Sequence, residues 1–213
     1  MIFLEERGIY MKIVCQGDSI TDSNRFHTNQ PLGDGYVYLL QQDRKDDTIV
    51  NKGISGNRIP ELFERWQKDT IEEKPDLLFI LVGINEIWHK YKHNKPMTTK
   101  EYQANYERLI IETKKNLPNV KICLLEPFVF PIGHYEPQWI PDLLEEQKIV
   151  YELSFKYHTG FIPLQKIFDE ALIHHTMVEL LPDGVHPSLE GHKVIKEAIV
   201  EYLTLINFET PLK

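Results

Sequence analysis

Five short apolar runs separated by amphipathic stretches constrain the fold of this chain more than any other feature of its sequence. The third run, at 76–83, is apolar almost without a break, as in a strand that is covered on both faces. Between the runs, apolar side chains recur at three- and four-residue spacing, which predicts helices. The alternation predicts an α/β fold with helices on both faces of a five-stranded parallel sheet. The predicted strands are 12–16, 48–51, 76–83, 120–125 and 160–164.

Single residues predict several helix boundaries. Thr98 or Thr99 and Ser188 have side chains that cap helices, so we expect a helix after each position. Another is expected to begin near Arg58, and Pro141 is expected to start one because its fixed φ suits a first helical turn. The apolar side chains that define the helices, with Trp66 predicted in the core, are Tyr36, Leu39, Leu40, Leu62, Phe63, Trp66, Ile71, Tyr102, Tyr106, Leu109, Ile110, Leu143, Leu144, Val150, Leu153, Val194, Ile195, Ala198 and Ile199.

Composition limits the class of protein. The 213 residues are 42% hydrophobic and 26% charged, which fits one folded domain over residues 1–213. No run of ~18 apolar residues is present, so a membrane-spanning helix is not expected. A net charge of −8 disfavours nucleic acid and anionic membranes as partners. Cys15 and Cys123 are expected to be buried thiols rather than a disulfide.

The first residues are expected to lie outside the fold. Residues 1–10 lack the apolar segment of a signal peptide, and Met11 opens the first predicted strand. We therefore expect residues 1–10 to be an N-terminal extension and the protein to be cytoplasmic.

Function is expected in the segments that directly follow the strands, because ligands bind beyond the carboxyl ends of parallel strands. These segments are 17–19, 53–57, 83–86 and a long loop at 127–141. In the first of them, the turn presents Ser19. A serine hydroxyl becomes nucleophilic only if a base takes its proton, so the rest of the chain must supply one.

A base for Ser19 stands near the C-terminus, where residues 183–187 read DGVHP. The three-residue spacing allows one loop to present both Asp183 and His186. Asp183 could then hold one ring nitrogen of His186 while the other nitrogen faces the serine hydroxyl. The chain order Ser, Asp, His is that of hydrolases built on parallel sheets.

The remaining histidines do not predict a metal centre. His174 and His175, and likewise His89 and His93, are expected on helices without the spacing of a zinc motif. His192 lies one turn into the last predicted helix and is expected to pack or face solvent.

Attack on an ester carbon places negative charge on oxygen, and hydrogen-bond donors must be waiting there. The candidates are the backbone N–H of Ser19, a backbone N–H in the loop 53–57 and the side-chain amide of Asn85. Glycines in the loop allow its backbone to approach the substrate closely.

Together these stretches resemble the four sequence blocks of the SGNH (GDSL) hydrolase superfamily. They read GDSIT at 17–21, NKGISGN at 51–57, GINE at 83–86 and DGVHP at 183–187. The resemblance covers residues 12 to about 200. It implies a flavodoxin-like, three-layer α/β/α sandwich around the parallel sheet. It also implies that Ser19 is the nucleophile, His186 the base and Asp183 its partner.

For the oxyanion hole, the resemblance implies Ser19, Gly56 and Asn85, with Gly53 the weaker match to the family's glycine. One residue departs from the family pattern. The third block usually ends Asn-Asp, whereas Glu86 follows Asn85 here. The longer side chain puts a local hydrogen bond in doubt but leaves the amide of Asn85 in place.

Within the superfamily, three stretches are most similar to bacterial carbohydrate acetylesterases, and among these to intracellular acetyl-xylooligosaccharide esterases. They are 51–57, GDGY at 33–36 and GINEIW at 83–88. The similarity implies a serine esterase that hydrolyses short-chain carboxylic esters through an acyl-serine and removes O-acetyl groups from oligosaccharides. It further implies a small-molecule ester substrate, no cofactor, no metal and a homo-oligomer.

Other functions stay open at this point. A lysophospholipase or thioesterase-type GDSL lipase would use the same residues on longer acyl chains. A non-catalytic carbohydrate-binding relative would keep the fold, but the complete residue set argues against it. A nucleotide-binding α/β domain would need a glycine-rich phosphate loop, which the first turn lacks. The aromatic residues of 127–141, with Trp88 and Tyr91, fit either a substrate rim or loop packing, and Arg58 fits either a substrate contact or an ion pair.

Overall fold

The structure is a computed structural model that describes residues 10–27 and 29–208. Nearly all of the extension predicted at residues 1–10 lies outside the described residues. Five strands form one parallel sheet in the order β2-β1-β3-β4-β5. The predicted α/β fold with a five-stranded parallel sheet is therefore confirmed. The strands are β1 Lys12–Gly17, β2 Thr48–Gly53, β3 Leu77–Leu81, β4 Lys121–Leu125 and β5 Gly160–Ile162.

Helices cover both faces of this sheet. Alternate residues of a strand point to opposite faces, and in β3 Phe79 faces one buried cluster while Leu78 and Ile80 face the other. Their arrangement gives three layers, as expected. The α-helices in the described ranges are α1 Ser19–Asp22, α2 Tyr36–Asp43, α3 Ile59–Trp66, which continues as a π-helical turn at Gln67–Ile71, α4 Ile84–Lys92, α5 Thr99–Asn116, α6 Trp139–Tyr157, α7 Leu164–Ala171, α8 Met177–Leu180 and α9 Leu189–Phe208.

The sheet register brings the strand ends to one level. Gly17 at the end of β1 pairs with Gly53 at the end of β2 on one side and with Leu81 at the end of β3 on the other. Leu81 in turn pairs with Leu125 at the end of β4. Segments that follow these strands therefore emerge side by side at one edge of the sheet.

Several helix predictions are confirmed. The Thr98 hydroxyl accepts a hydrogen bond from the Glu101 amide at the start of α5. The Ser188 hydroxyl accepts one from the Gly191 amide at the start of α9. Trp66 is buried in the core and donates to the Thr113 hydroxyl over 2.9 Å.

Two helix predictions are wrong. The helix expected to start at Pro141 begins at Trp139. Proline is tolerated throughout a first turn, where backbone N–H groups lack intrahelical partners, so it marks the turn rather than its first residue. His174 and His175 lie in the turn between α7 and α8 rather than on a helix. After α7 ends at Ala171, the amides of Ile173 and His174 donate to the carbonyls three residues earlier, those of Glu170 and Ala171, so the chain turns there although apolar residues continue.

Cys15 and Cys123 are buried free thiols, as predicted. Burial raises the pKa of the Cys15 thiol to about 12, so this group stays neutral and unreactive. Within the described ranges, every helix is too short or too polar to span a bilayer.

Candidate active site

Tight packing at the end of β1 places Ser19. A Cβ on Gly17 would lie 2.4 Å from the Leu81 carbonyl oxygen, so only glycine fits between the strands there. Asp18 then caps α1, since its Oδ1 accepts a hydrogen bond from the Ile20 amide over 3.0 Å. Ser19 is the first residue of α1 and is partly exposed, while its neighbours Asp18 and Ile20 are buried.

Ser19, His186 and Asp183 form a continuous hydrogen-bonded chain. Ser19 Oγ lies 2.9 Å from His186 Nε2, and His186 Nδ1 lies 2.7 Å from Asp183 Oδ2. The structure therefore brings together the three residues predicted from the sequence. These contacts are the geometry that a serine nucleophile, a general base and its orienting carboxylate require.

The loop 183–187 fixes the Asp183 carboxylate independently of the imidazole ring. Asp183 Oδ1 accepts hydrogen bonds from the backbone amides of Val185 at 2.9 Å and His186 at 2.7 Å. Partial burial opposes ionisation of Asp183, but these amides and the His186 ring outweigh it and lower the pKa of the carboxyl. Asp183 is therefore an anion that can hold the Nδ1 proton of His186.

The two glycines considered for the oxyanion hole differ in the state of their backbone N–H groups. Gly53 N–H donates to Asn51 Oδ1 over 2.9 Å, and its carbonyl accepts from Arg25. Gly56 N–H has no acceptor among the described residues, and nothing lies within 4 Å of a Cβ built at this position. Its φ of +79° is a left-handed backbone conformation that residues other than glycine seldom adopt. The geometry favours Gly56 over Gly53 as an oxyanion donor.

The side-chain amide of Asn85 lies in the first turn of α4, directly after β3. Its Nδ2 donates one hydrogen bond to the Asn57 carbonyl over 3.1 Å. An amide nitrogen carries two hydrogens, so this contact fixes the side chain and leaves a second donor. Asn85 is therefore tied to the loop that contains Gly56.

Two residues that hold this loop were missed by the sequence analysis. Asp22 Oδ2 accepts from both the amide and the hydroxyl of Ser55, at 3.0 and 2.7 Å. Arg65 donates from Nε to Asn57 Oδ1 and from its other nitrogens to the carbonyls of Lys52 and Gly17. Asp22 directly follows the block at 17–21 and Arg65 lies eight positions after the block at 51–57, and neither spacing signals a contact with this loop.

Aromatic side chains border the His186 ring. The Trp88 ring centre lies 5.9 Å from that of His186 and 4.8 Å from that of the exposed His134. His134 Nε2 is also 3.9 Å from Asp183 Oδ2. Within the loop 127–141, by contrast, Phe128, Phe130 and Trp139 are buried and pack on the body of the protein.

Other residues considered from sequence have structural contacts. Arg58 pairs with Glu61, its Nη2 lying 2.8 Å from Glu61 Oε1. His192 is buried beside Ser23, with Nε2 3.2 Å from the hydroxyl, and packs near the Tyr36 ring. Burial lowers the pKa of His192 to about 4, so it is neutral and acts in packing, as expected. Among the described residues, no three His, Cys, Asp or Glu side chains converge as metal ligands would.

A three-layer α/β/α fold with a Ser–His–Asp chain at the carboxyl edge of its sheet defines an α/β serine hydrolase. The chain belongs to the GDSL-like lipase/acylhydrolase family, which it matches over residues 15–194. It is accordingly a carboxylic ester hydrolase, and the predicted superfamily membership is confirmed.

Individual relatives agree with this assignment. An acetylxylan esterase of Geobacillus stearothermophilus is 34% identical over 93% of this chain and 94% of its own length. An uncharacterized lipoprotein of Bacillus subtilis is 32% identical over 92% of this chain and 90% of its own. The crystal structure of an acetylxylan esterase from Geobacillus stearothermophilus superposes with a TM-score of 0.78 at 32% identity, covering 90% of this chain and 93% of that one.

Proposed function

We propose that the chain is a serine esterase in which Ser19 is the nucleophile, His186 the general base and Asp183 its partner. The observation that carries the proposal is the unbroken hydrogen-bonded chain from Ser19 Oγ through the imidazole to the Asp183 carboxylate. The backbone N–H groups of Ser19 and Gly56 and the amide of Asn85 are the proposed oxyanion donors.

The reaction follows from these positions. His186 Nε2 takes the hydroxyl proton as Ser19 Oγ attacks the ester carbon, and the three donors hold the negative oxygen that forms. When the intermediate collapses, His186 gives the proton to the departing alcohol and leaves an acyl-serine. Water then attacks the acyl group with His186 again as base, which releases the carboxylic acid and restores Ser19.

For the substrate, we propose an O-acetyl group on an oligosaccharide. Two observations support this. The 34% identical relative is named an acetylxylan esterase, and an aromatic side chain, Trp88, lies next to the base. Trp88 is only partly buried and contacts His134 and His186. A partly exposed indole ring at this position suits the apolar face of a sugar ring.

Initial rates on p-nitrophenyl esters from acetate to palmitate, followed by acetylated xylo-oligosaccharides, test both parts of the proposal. We expect acetate to be preferred and acetic acid to be released from the oligosaccharides. A rate that rises toward long acyl chains would instead favour the lysophospholipase or thioesterase alternative.

Ser19→Ala is the matched variant for the same assay. The substitution removes only the hydroxyl oxygen of a partly exposed side chain, so the fold and the thermal unfolding midpoint should be unchanged. Nearly all turnover should be lost. Wild-type turnover in a folded Ser19→Ala protein would refute the mechanism.

We further propose that the protein is a homo-oligomer whose copies meet along α6. Ile140, Leu144, Tyr151 and Phe155 form an apolar stripe on this helix and are between 37% and 78% exposed. The stripe has the same spacing read from either end, so a two-fold axis through its middle would place Ile140 on the partner's Phe155 and Leu144 on its Tyr151. Such self-complementarity suits a two-fold interface.

Light scattering coupled to gel filtration tests this interface. Leu144→Glu should shift the mass toward the monomer, whereas Ile173→Glu, at an exposed apolar residue off the stripe, should not. An unchanged mass in Leu144→Glu would refute the interface. A cytoplasmic location stays a prediction from the sequence, and cell fractionation would test it.

A further inference from the structure

Behind the proposed oxyanion donors lies a buried carboxyl group to which the mechanism gives no task. Glu86 is 2% exposed and occupies the first turn of α4, next to Asn85. Its Oε1 accepts a hydrogen bond from the Ile59 amide over 2.7 Å. Glu86 is also the position at which the chain departs from the family's usual Asn-Asp. The longer side chain at this position therefore makes a hydrogen bond to a backbone amide.

The Ile59 amide depends on Glu86 for its partner. Ile59 is the first residue of α3, and first-turn N–H groups have no acceptor within their own helix. The residue before it, Arg58, has no side-chain acceptor to offer. A buried donor left without a partner is costly, so α4 supplies an acceptor that the first turn of α3 needs.

Two consecutive residues of α4 thus hold two nearby points of one segment. Asn85 Nδ2 binds the Asn57 carbonyl, and Glu86 binds the Ile59 amide two residues further on. Gly56 lies directly before this doubly held stretch. On its other side, the segment is fixed by the contacts of Ser55 with Asp22.

We infer that Glu86 is a positioning residue for the oxyanion hole: it locks the segment after Gly56 onto α4 and so sets the distance between the Gly56 and Asn85 donors. This inference rests on the proposed function. Donors that must meet a developing charge within a few tenths of an ångström are sensitive to such a lock, because an oxyanion hole works by being preorganised.

The surroundings of Glu86 favour its neutral form. Asp18, Arg58, Tyr102, Tyr106 and Glu146 all interact with it electrostatically. Burial raises the pKa of Glu86, and the nearby Asp18 raises it further. A neutral carboxyl offers Ile59 the same kind of carbonyl acceptor that a glutamine amide would. Positioning therefore needs the acceptor oxygen and not a charge.

Three variants separate this role from a general effect of burial. Glu86→Gln keeps the acceptor, and Glu86→Met removes it at similar volume. Glu146→Met is the matched control. Glu146 is a second buried carboxyl that interacts electrostatically with Glu86, but it makes no hydrogen bond to the segment after Gly56. Kinetics on p-nitrophenyl acetate and thermal unfolding are measured for each.

We expect Glu86→Gln and Glu146→Met to keep kcat within about threefold of wild type. Glu86→Met should lower kcat by about 10- to 100-fold, below the ~10²–10³ of deleting a donor outright, with little change in KM. If Glu86→Met does not fold, Glu86→Asp replaces it, since the shorter side chain withdraws the acceptor by about 1.5 Å. Equal losses in Glu86→Met and Glu146→Met, or a Gln variant as impaired as the Met variant, would overturn the inference.

The Asn85→Ala background supplies a second readout. If Glu86 acts through the oxyanion donors, the loss in the double variant should be smaller than the product of the two single losses. Independent, multiplicative losses would overturn the positioning role. Inactive Ser19→Ala together with wild-type kcat in Glu86→Met would refute this inference alone, whereas active Ser19→Ala would refute the proposed function with it.

Discussion

Exchanging Asp183 for asparagine should move the hydrogen of the neutral His186 ring from Nδ1 to Nε2, because of the contacts that hold residue 183. The present Oδ1 accepts from two backbone amides, those of Val185 and His186. In Asp183→Asn, the amide oxygen must take this place, because the alternative sets an NH₂ group against two N–H donors. The new NH₂ group then faces His186 Nδ1 and donates to it. Nε2 consequently carries the hydrogen and cannot accept the proton of Ser19.

The magnitude can be bounded from these contacts. Turning the amide the other way would forfeit two hydrogen bonds in a half-buried loop, at about 1 kcal/mol each or more. About 2 kcal/mol corresponds to a factor of about 30, so only a few per cent of the molecules would hold the productive tautomer. Loss of the anion that stabilises the imidazolium adds to this, and a total fall in kcat of about 10⁴ is expected.

Steady-state hydrolysis of p-nitrophenyl acetate at neutral pH, corrected for the uncatalysed rate, measures this effect. Asp169→Asn is the control, since it makes the same exchange on α7 away from the site. Thermal unfolding should be nearly unchanged in both, because the replacement keeps the shape and the Oδ1 contacts. A folded Asp183→Asn protein with kcat within tenfold of wild type would show that Asp183 does not set the tautomer.

Four further outcomes are expected from the same contacts. Asn85→Ala should lower kcat by about 10²–10³ with little change in the KM of the ester, as steady-state kinetics would show. Burial raises the pKa of Asp18 to about 6 in the folded protein. The carboxyl ionises at lower pH in the unfolded chain, so its contribution to stability is lost as the pH rises from about 4 to 6. The unfolding midpoint of wild type should therefore fall relative to that of Asp18→Asn over this range, and the two should run parallel above it. Trp66→Ala should reduce the free energy of unfolding in urea by about 3–5 kcal/mol while folded protein stays active. Gly53→Ala should abolish stable expression, because its Cβ would lie 2.2 Å from the Asp22 nitrogen, whereas Gly56→Ala, which has open space but a positive φ, should lose only about 1–2 kcal/mol; equal midpoints for the two glycine variants would contradict the packing described.

The sequence predicted the strands and the residues that follow them because both signals are local. An apolar run that ends in glycine, followed by Ser19 or Asn85, is visible within a few residues. Parallel pairing then brings the strand ends together without further information. The separation of Asp183 and His186 by three positions is likewise readable within one loop.

Contacts that depend on tertiary packing could not be predicted in the same way. Glu86 looked like a departure from a motif, and only the position of Ile59 against α4 shows what its length provides. The preference for Gly56 over Gly53 rests on the hydrogen bond from the Gly53 N–H to Asn51 Oδ1, which no spacing rule gives. The start of α6 was predicted two residues too late, because proline is accepted at several positions of a first helical turn and Pro141 is not the first of them.

The hydrogen bond between Ser19 and His186 joins positions 167 residues apart. Nearly the whole polypeptide must be synthesised before His186 exists, and the parallel sheet must form before His186 meets Ser19. Hydrolysis therefore requires a nearly complete chain, because a nascent or truncated chain that stops before the loop 183–187 would carry the nucleophile without its base. Recovery of activity during refolding should follow the slowest long-range step of assembly, rather than the earlier appearance of helices.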